Sequence, residues 1–144
     1  MIYPLAPLSR VKYKLLEHTA DAYVEVHGKN TSELFENAAY AMFDLMTDLK
    51  KVEPKGEMKV TLSADSREQL LVDFLGELLY LHETEDLVLN KFDIKTDGKK
   101  LEALVWGEKF DPNKHSKRTV VKAITYHKLE FDDKKGIVTV LFDI

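Results

Sequence analysis

Cysteine is absent from this sequence of 144 residues. The chain can therefore form no disulfide bond and no thiolate metal site, and it has no cysteine nucleophile. Long hydrophobic runs are absent too, because no stretch approaches the length that spans a membrane. The apolar segment 1–8 is short and is interrupted by Pro4 and Pro7, so we predict a loosely packed arm over residues 1–10 rather than a signal peptide. We expect a soluble cytoplasmic protein.

Concentrated positive charge is also missing. The formal net charge is -4, charged residues make up 32% of the chain, and its lysines and arginines are scattered. A dedicated nucleic-acid-binding protein gains much of its affinity by neutralising phosphates with massed cations. That class is disfavoured, although RNA contact through a partner protein stays open.

The motifs of self-sufficient catalysts are missing as well. The sequence has no glycine-rich phosphate loop, no Gly-x-Ser-x-Gly nucleophile elbow, no His-Glu-x-x-His zinc motif and no dinucleotide fingerprint. The acidic segment 82–86 lacks the regularly spaced acids around a glycine that a helix–loop–helix calcium loop requires. An accessory protein is therefore favoured over a stand-alone enzyme.

The sequence does contain enough apolar residues, 44% of the total, for one compact domain over residues 1–144. Helical periodicity predicts two helices, one capped by Asn30 or Thr31 and one running from Ser66 to about Glu83. We expect Gly76, inside the second helix, to permit close packing. Hairpin-length connections between strands favour an α+β fold with a mostly antiparallel sheet and two main helices packed together. Alternating apolar residues predict strands at 12–17, 23–28, 58–64, 88–96, 99–108, 124–131 and 136–143.

Carboxylates occur near both ends of the chain. The last predicted strand reaches the final residue, so we expect the carboxylate of Ile144 beside that of Asp143. Asp21 lies at the corner between the first two strands. If folding brings Asp21 next to Asp143 and Ile144, a hard divalent cation such as calcium or magnesium would relieve the repulsion between the three anionic groups. The alternative is a turn acid and an ordinary frayed C-terminus.

Three further residues are candidates near this site. His18 is either a hydrogen-bonding brace at the strand corner or a group that orients Asp21 for metal binding. In the segment 122–127, alternation places Lys122 and Tyr126 on one face and His127 on the other. Either Tyr126 lies in the core with His127 in solvent, or Lys122 or His127 approaches the carboxylates.

A fourth candidate, His115, belongs to a polar loop that also holds Lys114, Lys117 and Arg118. We expect a solvated loop. The alternative is a contact with the acidic or phosphate-bearing surface of a partner.

The chain resembles the archease family in segments that follow the family's order over nearly its whole length. These segments are 17–21 (EHTAD), 74–81 (FLGELLYL), 107–111 (GEKFD), 122–127 (KAITYH) and 141–144 (LFDI). Each segment alone is a weak signal, but the set is specific.

The resemblance implies an activator of the RtcB-type RNA ligase, which joins tRNA halves in tRNA splicing. It implies faster guanylylation of the ligase, repeated turnover and broader nucleotide use, with RNA contacted through the ligase. It also implies a metal site on Asp21, Asp143 and the Ile144 carboxylate that holds calcium, with magnesium or manganese as other candidates. Lys122 lies in a shared segment, which implies a place near the active site of the ligase.

Two other functions fit the same residues. The first is a free-standing phosphatase or nuclease that depends on a divalent metal bound by these carboxylates. The second is a chaperone-like or structural module in which the metal only holds the C-terminus in place.

Overall fold

The computed structural model describes residues 12–18 and 21–144. The predicted arm over residues 1–10 lies outside this part of the chain. The regular elements are β1 (Tyr13–His18), β2 (Asp21–His27), α1 (Thr31–Met46), a short 3-10 helix (Leu49–Lys51), β3 (Gly56–Ser63), α2 (Arg67–Glu85), β4 (Leu87–Thr96), β5 (Lys100–Lys109), β6 (Ala123–Asp132) and β7 (Ile137–Asp143).

Both helices begin where the sequence places a capping residue. Asn30 precedes α1, and its side chain accepts a hydrogen bond from the backbone N–H of Glu33 at 2.9 Å. Ser66 precedes α2 and accepts in the same way from the N–H of Gln69 at 3.1 Å. Each cap satisfies a donor that has no partner inside the helix, and its loss typically costs about 1 kcal/mol.

The strands form two antiparallel sheets rather than one. The first has the order β1-β2-β7-β6 and the second has the order β3-β5-β4. The helices and the two sheets make a single α+β domain, so the predicted fold class is confirmed. Because β7 lies between β2 and β6, the last segment of the chain is a central strand of its sheet.

Helix α1 packs against both sheets and against α2. The ring of Phe35 lies 6.3 Å from those of Phe74 in α2 and Phe131 in β6, measured between ring centres. Phe43 stacks on Phe92 of β4 at 6.2 Å. The side chain of Phe35 is fully buried, and burial of one such ring stabilises the fold by roughly 1.5–3 kcal/mol. These aromatic contacts hold the two sheets and two helices around a common core.

Close packing occurs at a different glycine from the one predicted. A Cβ atom added to Gly76 would meet no atom within 4 Å, so the expected close approach at this residue is wrong. A Cβ atom on Gly107 of β5 would lie 2.0 Å from the carbonyl oxygen of Val88 and 2.8 Å from the Cα of Leu89. The backbones of β4 and β5 approach each other there, beside an irregularity in β4 between Leu89 and Lys91.

Within the described part of the chain, the structure contains no helix that is both long enough and apolar enough to cross a membrane.

Candidate functional site at the end of the first sheet

Asp21 and Asp143 lie directly opposite each other at one end of the first sheet. Asp21 begins β2, Asp143 ends β7, and the two form the last pair in the register of these strands. Residues paired in this way share a face of the sheet, with Cβ atoms about 4.5–5.5 Å apart. Tyr23 and Leu141 are the next pair on that face. Val24 and Phe142 belong to the other face, where they are buried in the core. We call the pair Asp21 and Asp143 the acidic pair.

The acidic pair carries two like charges in a position where they repel. Like charges directly opposite in a sheet destabilise it. Among the described residues, none forms an ion pair with Asp21 or Asp143 within 4.0 Å. A cation bound between Asp21 and Asp143 would therefore relieve the repulsion between the two carboxylates.

Ile144 and Lys122 both adjoin the acidic pair. Ile144 follows Asp143 directly, and its side chain is partly buried against the core. On the other side of β7, the backbone N–H of Lys122 donates to the carbonyl oxygen of Asp143 at 2.7 Å, and the side chain of Lys122 is exposed. The structure thus brings Lys122 next to the acidic pair, which spacing alone could not show.

The structure describes the backbone of His18 but not its side chain. His18 is the last residue of β1 and pairs with Ala22, the neighbour of Asp21. The prediction that its side chain braces or orients Asp21 concerns a side chain outside the described part of the structure. Residues 19 and 20, which complete the predicted corner, also lie outside it.

Tyr126 and His127 are not brought to the acidic pair. Ala123 is the residue of β6 that pairs with Asp143, and His127 lies four positions further along the chain, roughly 10 Å or more away at the usual rise per residue. His127 is exposed, as one of the two interpretations expected. Tyr126 is 57% exposed, so the part of that interpretation which placed Tyr126 in the core is wrong.

The donor set at the acidic pair suits a hard cation if the main chain contributes. Among the described residues, no group of three or more His, Cys, Asp or Glu side chains could hold a metal ion. The acidic pair supplies two carboxylates, and the predicted site adds the α-carboxylate of Ile144 as a third. All of these donors are oxygens, which calcium and magnesium prefer, and such a sparse set leaves coordination positions open. The residues therefore fit a divalent cation in their chemistry.

A second polar cluster, centred on Glu108, was not predicted from the sequence. The side chain of His115 is fully buried, and its Nε2 lies 2.9 Å from Oε2 of Glu108. Its Nδ1 accepts from the backbone N–H of Asp111 at 2.8 Å, so Nε2 carries the proton and donates to Glu108. Lys114 also donates to Glu108, at 2.9 Å, and to Glu53 at 2.7 Å.

This cluster holds the loop between β5 and β6 in place. The expectation of a wholly solvated loop is wrong for His115, which anchors the loop to β5 instead of facing a partner. The sequence offered little sign of this cluster. Its partners, Lys114 and His115, reach Glu108 only when the loop folds back onto β5. The loop continues to Lys122, so its anchoring helps to fix the start of β6 beside the acidic pair.

Comparison with known proteins gives consistent matches. The model of the Archease protein family (MTH1598/TM1083) matches residues 13–144. Protein archease of Sulfurisphaera tokodaii is 44% identical over 137 residues, which cover 92% of this chain and 99% of the relative. Protein archease of Methanosarcina mazei is 42% identical over 135 residues, covering 90% and 92%. The solution structure of Methanobacterium thermoautotrophicum protein 1598 matches with a TM-score of 0.73 and 34% identity, covering 92% of this chain and 99% of that one.

Proposed function

This chain belongs to the archease family, and we propose that it is an accessory protein that activates an RtcB-type RNA ligase in tRNA splicing. In this proposal, the protein docks on the ligase and presents a cation held by Asp21, Asp143 and the Ile144 carboxylate. The protein itself catalyses no reaction. Its effect is to promote guanylylation of the ligase and repeated turnover.

The observation that carries the proposal is the register that places Asp21 opposite Asp143. The two carboxylates lie at the end of a central strand pair and have no ion-pair partner within 4.0 Å among the described residues. Six further pairs in the same register hold their strands, so the separation of the two residues is fixed before any cation arrives. Preorganised charge of this kind acts without the cost of rearrangement. A bound divalent cation with open positions would supply positive charge for oxygen ligands of a partner.

Calcium is the ion that we propose for this site, with magnesium or manganese as alternatives. Magnesium demands near-ideal octahedral geometry and keeps several waters, whereas calcium accepts irregular sets of oxygen ligands. The two side chains project from one face of a sheet and the third donor is a main-chain terminus, which is an irregular set. This chemistry favours calcium.

The central test replaces each acid by its amide. We expect Asp21→Asn and Asp143→Asn to fold normally, to lose calcium binding in isothermal titration calorimetry, and to lose stimulation of ligase guanylylation. Asp93→Asn, which changes an exposed aspartate on β4 of the second sheet, is the matched control and should behave like the parent. Full stimulation by either acidic-pair variant would rule the mechanism out.

The same variants separate the two other functions. A free-standing phosphatase or nuclease would turn over RNA or nucleotide substrates with divalent ions and no ligase present. A purely structural metal site would lower the melting temperature of Asp143→Asn and reduce stimulation only in proportion to the unfolded fraction. Stimulation that disappears while the melting curve stays unchanged supports the accessory function.

The proposed role of the Ile144 carboxylate has its own test. Adding two glycines after Ile144 converts this carboxylate into an amide, so calcium affinity should fall at least several-fold. The same two glycines added before Met1 should leave affinity unchanged. Equal affinity for both extended proteins would remove Ile144 from the site.

A further inference from the structure

Strand β6 is interrupted by an unusually large bulge. Its pairing with β7 stops after Thr125 and resumes at Glu130, whereas on β7 only Val140 lies between the two corresponding partners. Four residues, 126–129, thus face one, although an ordinary bulge sets two residues against one. We call residues 126–129 the β6 bulge.

The β6 bulge is held in a defined conformation. Lys128 has φ 59, in the left-handed region that residues other than glycine rarely adopt. Its carbonyl oxygen accepts a hydrogen bond from Oγ1 of Thr139 at 2.7 Å, and the next residue, Leu129, packs against the core. Backbone strain of this sort costs of order 1 kcal/mol or more and persists where the surroundings enforce it, often at functional sites.

Three of the four side chains of the β6 bulge are exposed to solvent, and Leu129 is the exception. Tyr126 is 57% exposed, and His127 and Lys128 are exposed as well. Nζ of Lys128 lies 5.0 Å from the centre of the Tyr23 ring, so this side chain reaches across β7 towards β2. Within the described part of the chain, neither His127 nor Lys128 makes an ion pair within 4.0 Å.

Protection of a sheet edge explains only part of this arrangement. β6 is an edge strand, and bulges and lysines commonly prevent edges from pairing with other chains. Lys128 serves that purpose. An exposed tyrosine does not, because large aromatic side chains promote association and are enriched where proteins bind each other.

The β6 bulge lies close enough to the acidic pair for one interface to cover both. Tyr126 lies three residues from Ala123, the partner of Asp143, which is roughly 10 Å along the strand. A standard interface buries about 800 Å² on each partner, equivalent to a disc of roughly 16 Å radius. An interface of this area centred on Asp143 would extend as far along the sheet as Tyr126.

We propose that the β6 bulge is the docking element for the partner protein, with Tyr126 as the anchor in an apolar pocket of that partner. Lys122, His127 and Lys128 then face acidic side chains around this pocket. The inference rests on the proposed function in that the partner is the RNA ligase. Protein is favoured over RNA because the acidic pair beside the bulge and the net charge of -4 repel a phosphate backbone.

The test separates docking from activation by titrating each variant against the ligase. Tyr126→Ala should raise the concentration that gives half-maximal stimulation by about ten-fold or more and leave stimulation at saturation unchanged. Asp143→Asn should show the opposite pattern, with stimulation lost at saturation. Tyr80→Ala, which removes a comparably exposed tyrosine, 58% exposed on α2, is the control and should change neither quantity.

A second variant tests the charge without relying on Tyr126. Lys128→Asn keeps a residue that tolerates the left-handed conformation and removes the ammonium group. It should raise the half-maximal concentration about three-fold at low salt and less at high salt, because charge on an interface rim is screened. Lys134→Asn, in the turn at the far end of β7, should have no effect.

Direct binding of each variant to the immobilised ligase completes the design. If the parent protein binds without stimulating, the proposed function fails, and a weakened Tyr126→Ala complex still supports the docking element. If both Tyr126→Ala and Lys128→Asn keep the parent's ligase affinity and half-maximal concentration, the docking proposal is overturned. A raised KM for RNA with unchanged ligase affinity also overturns it, because the bulge then contacts RNA. A parent protein that neither binds nor stimulates overturns both proposals.

Discussion

Glu108 shows how one side chain links pH to the stability of this protein. Burial alone raises the pKa of its carboxyl, but hydrogen bonds from the Glu53 N–H, Lys114 and His115, together with the charge of Lys114, outweigh burial and lower the pKa to about 2. The resulting stabilisation is fully present above the unfolded-state pKa of 4.5. It is lost as the pH falls from that value towards 2, because the unfolded state then binds the proton more tightly.

We predict that Glu108→Gln lowers the free energy of unfolding at pH 7 by about 1–3 kcal/mol. The amide of glutamine accepts fewer hydrogen bonds than the carboxylate, so at least one of the groups that donate to Glu108 loses its partner. Between pH 4.5 and 2 the variant should lose less stability than the parent does. Urea denaturation at a series of pH values measures both effects. Glu102→Gln, on an exposed side chain of the same strand, should match the parent. Parallel stability curves for Glu108→Gln and the parent would contradict the assignment.

Among the secondary-structure elements, two glycines, one in a helix and one in a strand, have opposite roles. Gly76 lies inside α2 with open space where a Cβ would go, whereas Gly107 lies where β4 and β5 touch. We predict that Gly76→Ala raises the free energy of unfolding by about 0.5–1 kcal/mol, because alanine favours the helix and restricts the unfolded chain. Gly107→Ala should lower it by about 1–3 kcal/mol, because the backbone must move.

Gly56→Ala is the matched control for Gly107, since the two residues pair across β3 and β5. A Cβ on Gly56 would lie 3.6 Å from the carbonyl oxygen of Gly107, which is an ordinary contact. Chemical denaturation of the three variants should rank them Gly76→Ala, Gly56→Ala, Gly107→Ala in decreasing stability. A stable Gly107→Ala protein would show that the two strands can separate at little cost.

At the scale of the whole molecule, the last strand completes the first sheet. β7 pairs with β2 on one side and β6 on the other, and its Val138, Val140 and Phe142 are fully buried. Contacts between distant parts of a chain form slowly, because loop closure must precede them. The first sheet therefore has no complete core until the end of the chain is available.

We predict that a protein truncated after Asp132 has no cooperative thermal transition by circular dichroism, because removal of β7 leaves β6 without its partner strand, leaves β2 paired with β1 alone and exposes their apolar faces to water. The substitution Thr139→Ser, which changes a partly exposed residue of β7 and keeps its hydroxyl, should preserve a sharp transition. A cooperative transition in the truncated protein would mean that the second sheet and the helices fold without β7.

Local features were predictable because the interactions behind them span only a few residues. The caps of Asn30 and Ser66 involve hydrogen bonds between neighbours in sequence. The resemblance to the archease family, drawn from five short segments, is confirmed by the match over residues 13–144. The metal, the ligase and the roles of the acidic pair stay predictions.

The helices, the hairpins and the α+β class could be predicted from the sequence alone, because periodicity, capping and turn chemistry act over a few positions. The family was indicated by the resemblance of five short segments. Only the tertiary structure decided that there are two sheets, that Asp21 lies opposite Asp143, that His115 is buried and that Tyr126 is exposed. Each of these depends on which strands pair across long stretches of chain. That choice minimises the free energy of the whole core, which no local stretch of sequence contains.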